Sequence, residues 1–210
     1  MKGRVKNRRF RQMSLRTFLI TAIVVSVAFG WYTVRAQKQE KLVQWIAENG
    51  GRVRYDFQYN PEINESTPKG TEAGPKWLVD RLGVDYFATV TQVVLRGPLR
   101  SGEQIDLGRL RHVPCIAIVD LPLNDLSPLF EFTNLQNVTL TGLPASDLTP
   151  LAKLATLKRI AIFDCDSVEL EPLHQAKDLK ELWIGKNSNA NVDDIDRFEQ
   201  AVPNCKVTRK

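Results

Sequence analysis

From Val113 to Ile195 the apolar residues of this chain recur every 22 positions, and that period restricts the C-terminal half to similar units stacked on one another. Val113, Leu135, Leu157 and Leu179 share one phase, Ile116, Val138, Ile160 and Leu182 a second, and Ile118, Leu140, Ile162 and Ile184 a third. Later in each unit Leu126, Leu148, Leu170 and Val192 line up, followed by Leu129, Leu151, Leu173 and Ile195. One unit is too short to enclose its own apolar columns. Stacked units enclose them because each covers its neighbour's face.

Within a unit the first three columns fall at offsets 0, 3 and 5, and the last two alternate as a strand does. Ile116-Ala117-Ile118, Val138-Thr139-Leu140, Ile160-Ala161-Ile162 and Leu182-Trp183-Ile184 therefore read as short strands buried on one face. Behind them come Asp125-Leu126-Ser127-Pro128-Leu129, Asp147-Leu148-Thr149-Pro150-Leu151 and Glu169-Leu170-Glu171-Pro172-Leu173. Proline fixes φ near the helical value and lacks an amide hydrogen, so it suits the first position of a helix. Ser127 and Thr149 are the expected N-caps, and the return segment has room for only a turn or two of helix, including 3₁₀.

The pattern Leu135-x-x-Val138-x-Leu140, with Leu148 and Leu151 behind it, resembles the leucine-rich repeat. The 22-residue period with Asp-Leu-Ser/Thr-Pro-Leu resembles its internalin-type subclass, over roughly residues 90 to 205. The resemblance implies an α/β solenoid with a parallel sheet on the concave face, short helical segments on the convex face, and binding of proteins. Where family members carry a buried Asn, this chain has Leu121, Leu143, Cys165 and Asn187, so its first two turns are expected to be less regular. Val90, Val93 and Leu95 repeat the strand offsets 23 residues before Val113, as a degenerate first unit. Asp193, Ile195, Phe198 and Val202 have helical spacing, with Asp193 as cap and Pro203 as stop, and the tail 203–208 is expected to close the last layer as an irregular strand.

The N-terminal residues set location. Thr17 to Val34 carries no charge and spans ~27 Å as a helix, about one bilayer core. Lys2, Arg4, Lys6, Arg8, Arg9, Arg11 and Arg16 precede it with no acidic residue, so the positive-inside rule keeps 1–16 cytoplasmic and places everything beyond 35 across the inner membrane. Trp31 and Tyr32 suit the far interface, and 17–34 acts as a signal-anchor. Ala28-Phe29-Gly30 and Val34-Arg35-Ala36 also resemble cleavage sites, which leaves secretion after signal cleavage as the alternative. Residues 1–35 hold eight of the 29 basic side chains and none of the 24 acidic ones, so 36–210 has 21 against 24 and is net acidic. The overall positive charge thus belongs to membrane topology, and nucleic acid is not an expected partner.

Residues 35–89 read as a connector and N-terminal cap. Gln37 to Glu48 forms a short amphipathic helix around Leu42, Val43, Trp45 and Ile46, ended by Asn49-Gly50-Gly51. Arg52 to Tyr59 alternates, giving a strand with Val53, Tyr55, Phe57 and Tyr59 on one face, covering the end of the array. Residues 60–76 are Pro- and Gly-rich and are expected to form a mobile loop, and Lys76 to Ala88 a helix turning Trp77, Leu78, Leu82 and Phe87 toward the first repeat.

Candidates for chemistry are few. His112 and His174 fall about three units apart, some 14 Å at ~5 Å per strand, too far to share a metal or a proton. Cys115, Cys165 and Cys205 occupy different phases; Cys165 fills an inward turn, and a free or intermolecular role for Cys205 stays open. Asp164-Cys165-Asp166 is the weak candidate for calcium. No cofactor, metal or catalytic residue is expected.

The expected working surface is the outward side of the strands. If Ile160, Ile162, Leu182 and Ile184 point in, Ala161, Phe163, Trp183 and Gly185 point out, flanked by Lys158, Arg159, Lys180 and Glu181. An aromatic pair rimmed by charge has the composition of a binding hot spot; the plainer reading is that one ring folds over Ala161 and Gly185 to cover the sheet. A non-enzymatic module binding a protein or envelope polymer is expected. A self-associating envelope scaffold and a membrane-tethered enzyme using 36–89 are the alternatives.

Overall fold

The computed structural model describes residues 15–60, 65–66, 73–97, 107–121, 123, 125–144, 147–185, 188 and 190–209. Most of the basic segment 1–16, most of the expected loop 60–76 and Asn187 lie outside these. The fold is α/β, with a long apolar N-terminal helix and a seven-stranded, mostly parallel sheet.

Helix α1 runs unbroken from Leu15 to Glu48. The apolar stretch and the amphipathic helix are therefore one element, because nothing between Val34 and Gln37 breaks a helix: no glycine or proline falls there. By length and composition α1 can cross a membrane. Its C-terminal part belongs to the globular body, with Ala36 and Ile46 buried and Leu42, Val43 and Trp45 packed on the core. It stops at Gly50, whose φ of 76° lies in the left-handed region, and Gly51 N–H closes back onto the Ile46 carbonyl at 2.8 Å.

Strand β1 (Arg52–Tyr55) pairs antiparallel with β4 (Val90–Arg96). From β4 the sheet continues in chain order through parallel β5 (Cys115–Val119), β6 (Asn137–Thr141), β7 (Arg159–Phe163), β8 (Glu181–Ile184) and β9 (Lys206–Arg209). The register reproduces the sequence period: Ile116, Val138, Ile160 and Leu182 lie side by side, as do Ile118, Leu140, Ile162 and Ile184. Val93 and Leu95 extend these rows by one strand, absorbing the 23-residue step, and the tail 206–209 is the closing strand. A backbone ladder begins just before the strands, where Gln136, Lys158, Lys180 and Lys206 each donate to the preceding unit, from Pro114 onward, at 2.7–2.8 Å.

The core lies on the other side of these rows from the odd-numbered residues of β7 and β8. It is closed by the 3₁₀ turns Leu107–Leu110, Ser127–Glu131 and Glu171–Gln175, helix α3 (Thr149–Ala152) and helix α4 (Val192–Ala201). Leu129, Leu151 and Leu173 are fully buried at matching positions. The proline of each segment sits at its start, but Ser127 and Thr149 are not the caps. Asp125 and Asp147, two residues earlier, accept the amide hydrogens of Ser127 and Thr149 at 2.7 and 2.8 Å. The N-cap positions are Leu126 and Leu148, with no side-chain cap, and each aspartate instead closes a local turn leading into the segment. Likewise α4 is capped by Asn191, not Asp193, whose amide hydrogen Asn191 Oδ1 accepts. Ile195, Phe198 and Val202 are buried as their spacing predicts.

The turns after the strands also repeat. Asp120, Gly142 and Asp164, each 22 residues apart, take φ of 50°, 64° and 52°. Left-handed backbone is costly except for Gly and, to a lesser degree, Asn and Asp, which explains this column. In the column expected to hold Asn, Leu121 and Leu143 are buried, and the Cys165 thiol contacts the Phe163 carbonyl at 3.3 Å.

The cap departs from expectation in two places. The alternating strand ends at Tyr55; a turn at 56–58 follows, and Tyr59–Asn60 (β2) pairs antiparallel with Glu65–Ser66 (β3), which falls in the expected loop. The expected helix over Lys76 to Ala88 is α2 (Lys76–Leu82) and a 3₁₀ turn, Val84–Tyr86, broken at Gly83. Trp77 and Leu82 point outward, 69% and 44% exposed.

Candidate functional site

Alternation along β7 and β8 buries Ile160, Ile162, Leu182 and Ile184 and leaves Arg159, Ala161, Phe163, Glu181 and Trp183 half-buried on the opposite face of the sheet. Pairing sets Arg159 opposite Glu181 and Ala161 opposite Trp183. Arg159 Nε lies 3.2 Å from Glu181 Oε2, and Trp183 Nε1 donates to the same oxygen at 3.3 Å. With side chains 17% and 32% exposed, the ion pair is shielded enough to fix the indole, although such pairs add only about 1 kcal/mol or less.

Phe163 lies one row beyond, next to Gly185. A Cβ on Gly185 would come within 2.8 Å of Phe163 Cδ1, so the ring uses space that only glycine leaves. Both aromatics thus sit across from small residues, Ala161 and Gly185, and both remain half-buried. Lys158 and Lys180 precede the strands and carry the backbone ladder; Lys180 is exposed and Lys158 half-buried. The six candidate side chains come from two adjacent strands and the turns leading into them.

The same face over β5 and β6 is covered by a residue that the sequence pattern assigns elsewhere. Tyr59, 3% exposed, hydrogen-bonds with Cys115 and Asn137, and Asn137 Nδ2 lies 3.3 Å from Cys115 Sγ. The turn at 56–58 separates Tyr59 from Tyr55, which stacks on Phe57 at 5.8 Å and donates to Asp85 at 3.1 Å. One clue to this cover lies in the sequence: Cys115 and Asn137 hold the phase of Arg159 and Glu181, and a cysteine and an asparagine there suit burial under a polar lid. Burial pushes the Tyr59 hydroxyl up to about 12 and the Cys115 thiol up to about 11. Burial, helped by the Glu181 charge, pushes Cys205 up to about 11, and burial raises Cys165 too. All three thiols are buried and free, and with their pKa values raised they stay protonated at neutral pH.

His112 is beside Thr133, with Nδ1 3.3 Å from the hydroxyl, while the His174 ring packs 6.2 Å from Phe198. The structure does not bring the two together with a shared carboxylate or thiol. Among the described residues no three His, Cys, Asp or Glu side chains are grouped to hold a metal ion, the Asp164–Asp166 segment included. The chain matches no family model, and no curated protein matches it in sequence.

Proposed function

We propose that this chain is a single-pass membrane protein carrying a short leucine-rich repeat solenoid, and that it binds a protein or an envelope polymer without catalysing a reaction. The observation that carries this reading is the preset aromatic pair: Trp183 held by Glu181 and Arg159, and Phe163 seated on Gly185, on one face of the sheet. Rings already fixed lose little entropy on binding, and aromatic and arginine side chains supply most of the energy at interfaces. Lys158 and Lys180 provide the charged rim. The 22-residue register supports the repeat reading, and α1 with the seven preceding cations supports an anchor with a cytoplasmic N-terminus and the repeats outside.

The test is affinity capture from membrane extract with the full chain in detergent, comparing wild type with the double variant Phe163→Ala, Trp183→Ala, matched by circular dichroism. A partner captured by wild type and lost with the folded variant is expected. Capture of the same proteins by both, or of further copies of the chain alone, overturns the proposal in favour of a scaffold.

A further inference from the structure

Where α1 leaves its apolar stretch, a cleft of about 510 Å³ opens between the helix and the segment 108–113. Its walls carry Arg35, Lys38 and Lys41 on one side and Arg109, Arg111 and His112 on the other, and no carboxylate lines it among the described residues. This is not background composition, since the chain beyond residue 35 is net acidic. Asp85 lines the smaller neighbouring cavity, where it accepts from Gln39 at 2.9 Å and Tyr55 at 3.1 Å. Arg111 Nε donates to His112 at 3.2 Å and the Arg109 guanidinium lies 5.4 Å from the Trp45 ring centre, contacts that orient these side chains along the wall of the cleft. The permanent positive charges of Arg35, Lys38, Lys41 and Arg111 around one cavity repel each other, and an anion bound between them relieves that repulsion.

Position selects the anion. Arg35 is the first charge after the apolar stretch, and Lys38 and Lys41 follow ~5 and ~9 Å further along the helix. A headgroup layer extends roughly 5–8 Å beyond the hydrocarbon, so Arg35 and Lys38 fall within it and Lys41 at its outer edge. Three hydrogen bonds tie the globular body to this part of the helix. The Tyr32 hydroxyl donates to the Tyr86 carbonyl, Arg35 donates to Thr89 at 3.3 Å, and Gln39 donates to the Ala88 carbonyl at 2.8 Å.

We propose that this cleft binds the phosphate of an anionic phospholipid from the bilayer that holds α1, fixing the height and tilt of the repeats above the membrane. The inference rests on the membrane reading of α1. Two measurements on the full chain separate the two. Alkaline carbonate extraction of membranes tests the anchor: release of the chain overturns the membrane reading, and the cleft proposal with it. Native mass spectrometry from neutral detergent, with equal phosphatidylglycerol and phosphatidylcholine added, tests the cleft. Wild type is expected to retain phosphatidylglycerol by about tenfold over phosphatidylcholine. The variant Lys38→Gln, Lys41→Gln, Arg111→Gln is expected to lose that preference, and the charge-preserving Lys38→Arg, Lys41→Arg, Arg111→Lys to keep it. If the triple glutamine variant unfolds, the single exposed change Lys41→Gln is expected to reduce the preference about threefold. A chain retained in membranes whose wild type shows no preference, or whose glutamine variants keep it, overturns the proposal. Displacement of the lipid by equimolar glycerol phosphate also overturns it, because the site would then be one for soluble phosphate.

Discussion

Replacing Gly142 by alanine tests whether the turns after the strands share one backbone. Gly142 has φ of 64°, between Asp120 and Asp164 at 50° and 52° in the neighbouring units. Holding alanine in this left-handed region costs about 1–2 kcal/mol. The new Cβ would also lie 2.2 Å from Asp120 Oδ1, which must swing away; Asp120 is exposed, so a rotamer change of about 0.5–1.5 kcal/mol accommodates it. Alanine's smaller freedom in the unfolded chain returns about 0.4–1 kcal/mol. The net expected loss is about 1–2 kcal/mol, or roughly 2–8 °C in Tm for a chain of this size.

Gly142→Asn separates the two causes. It meets the same Asp120 oxygen but tolerates the left-handed conformation by local hydrogen bonding, as the aspartates of the column do. About half the alanine loss is expected. Thermal unfolding of the full chain in detergent, followed by near-ultraviolet circular dichroism, measures both. An alanine variant as stable as wild type, or an asparagine variant losing as much as the alanine one, would refute the argument that backbone conformation dictates this column.

Ile160→Ala empties a site with no exposure in the middle of the sheet and is expected to cost about 2–5 kcal/mol in chemical denaturation; a loss under 1 kcal/mol would mean the rows are not packed as described. Asp125 and Asp147 have carboxyl pKa values below the ordinary 3.8 because the Ser127 and Thr149 groups hydrogen-bond the ionised form. Their contribution is therefore complete above the unfolded value and disappears as pH falls through the lowered folded values. Carbon-detected NMR titration is expected to place both below 3.8, and a value at or above it contradicts the capping geometry. Tyr59→Phe removes the hydroxyl that Asn137 and Cys115 share and is expected to cost about 1–2 kcal/mol. The Tyr59 hydrogen bond holds the Cys115 thiol pKa down, so the same change is expected to raise it, and alkylation of buried Cys115 is expected to speed only in proportion to the lost stability.

The strand rows were legible because burial on one face forces the same residue type into the same phase, and a slip of one position would turn Ile160 and Ile162 outward. Pro128, Pro150 and Pro172 located the return segments for a similarly local reason. The helix starts differ from the sequence expectation because Ser127 and Thr149 fall inside their segments, after N-caps Leu126 and Leu148, and their amide hydrogens go to Asp125 and Asp147. The placement of Tyr59 was illegible: alternation from Val53 onward fits a longer strand equally well, and the turn at 56–58 goes with contacts to the residue before β4, Asp56 N–H donating to the Thr89 carbonyl at 2.9 Å. At the candidate site, the outward phase of Phe163 and Trp183 followed from strand periodicity. The sharing of Glu181 Oε2 by Arg159 and Trp183 depends on side-chain rotamers, which no sequence pattern encodes.

A photo-reactive benzoylphenylalanine placed at Lys180, exposed beside the aromatic pair, and in a separate variant at Lys153, exposed after α3 on the helical side, tests the central claim in intact cells. An irradiation-dependent adduct to another molecule from position 180 and none from 153 is the expected result. An adduct from 153 alone, or from neither position, would contradict binding through the outward face of β7 and β8.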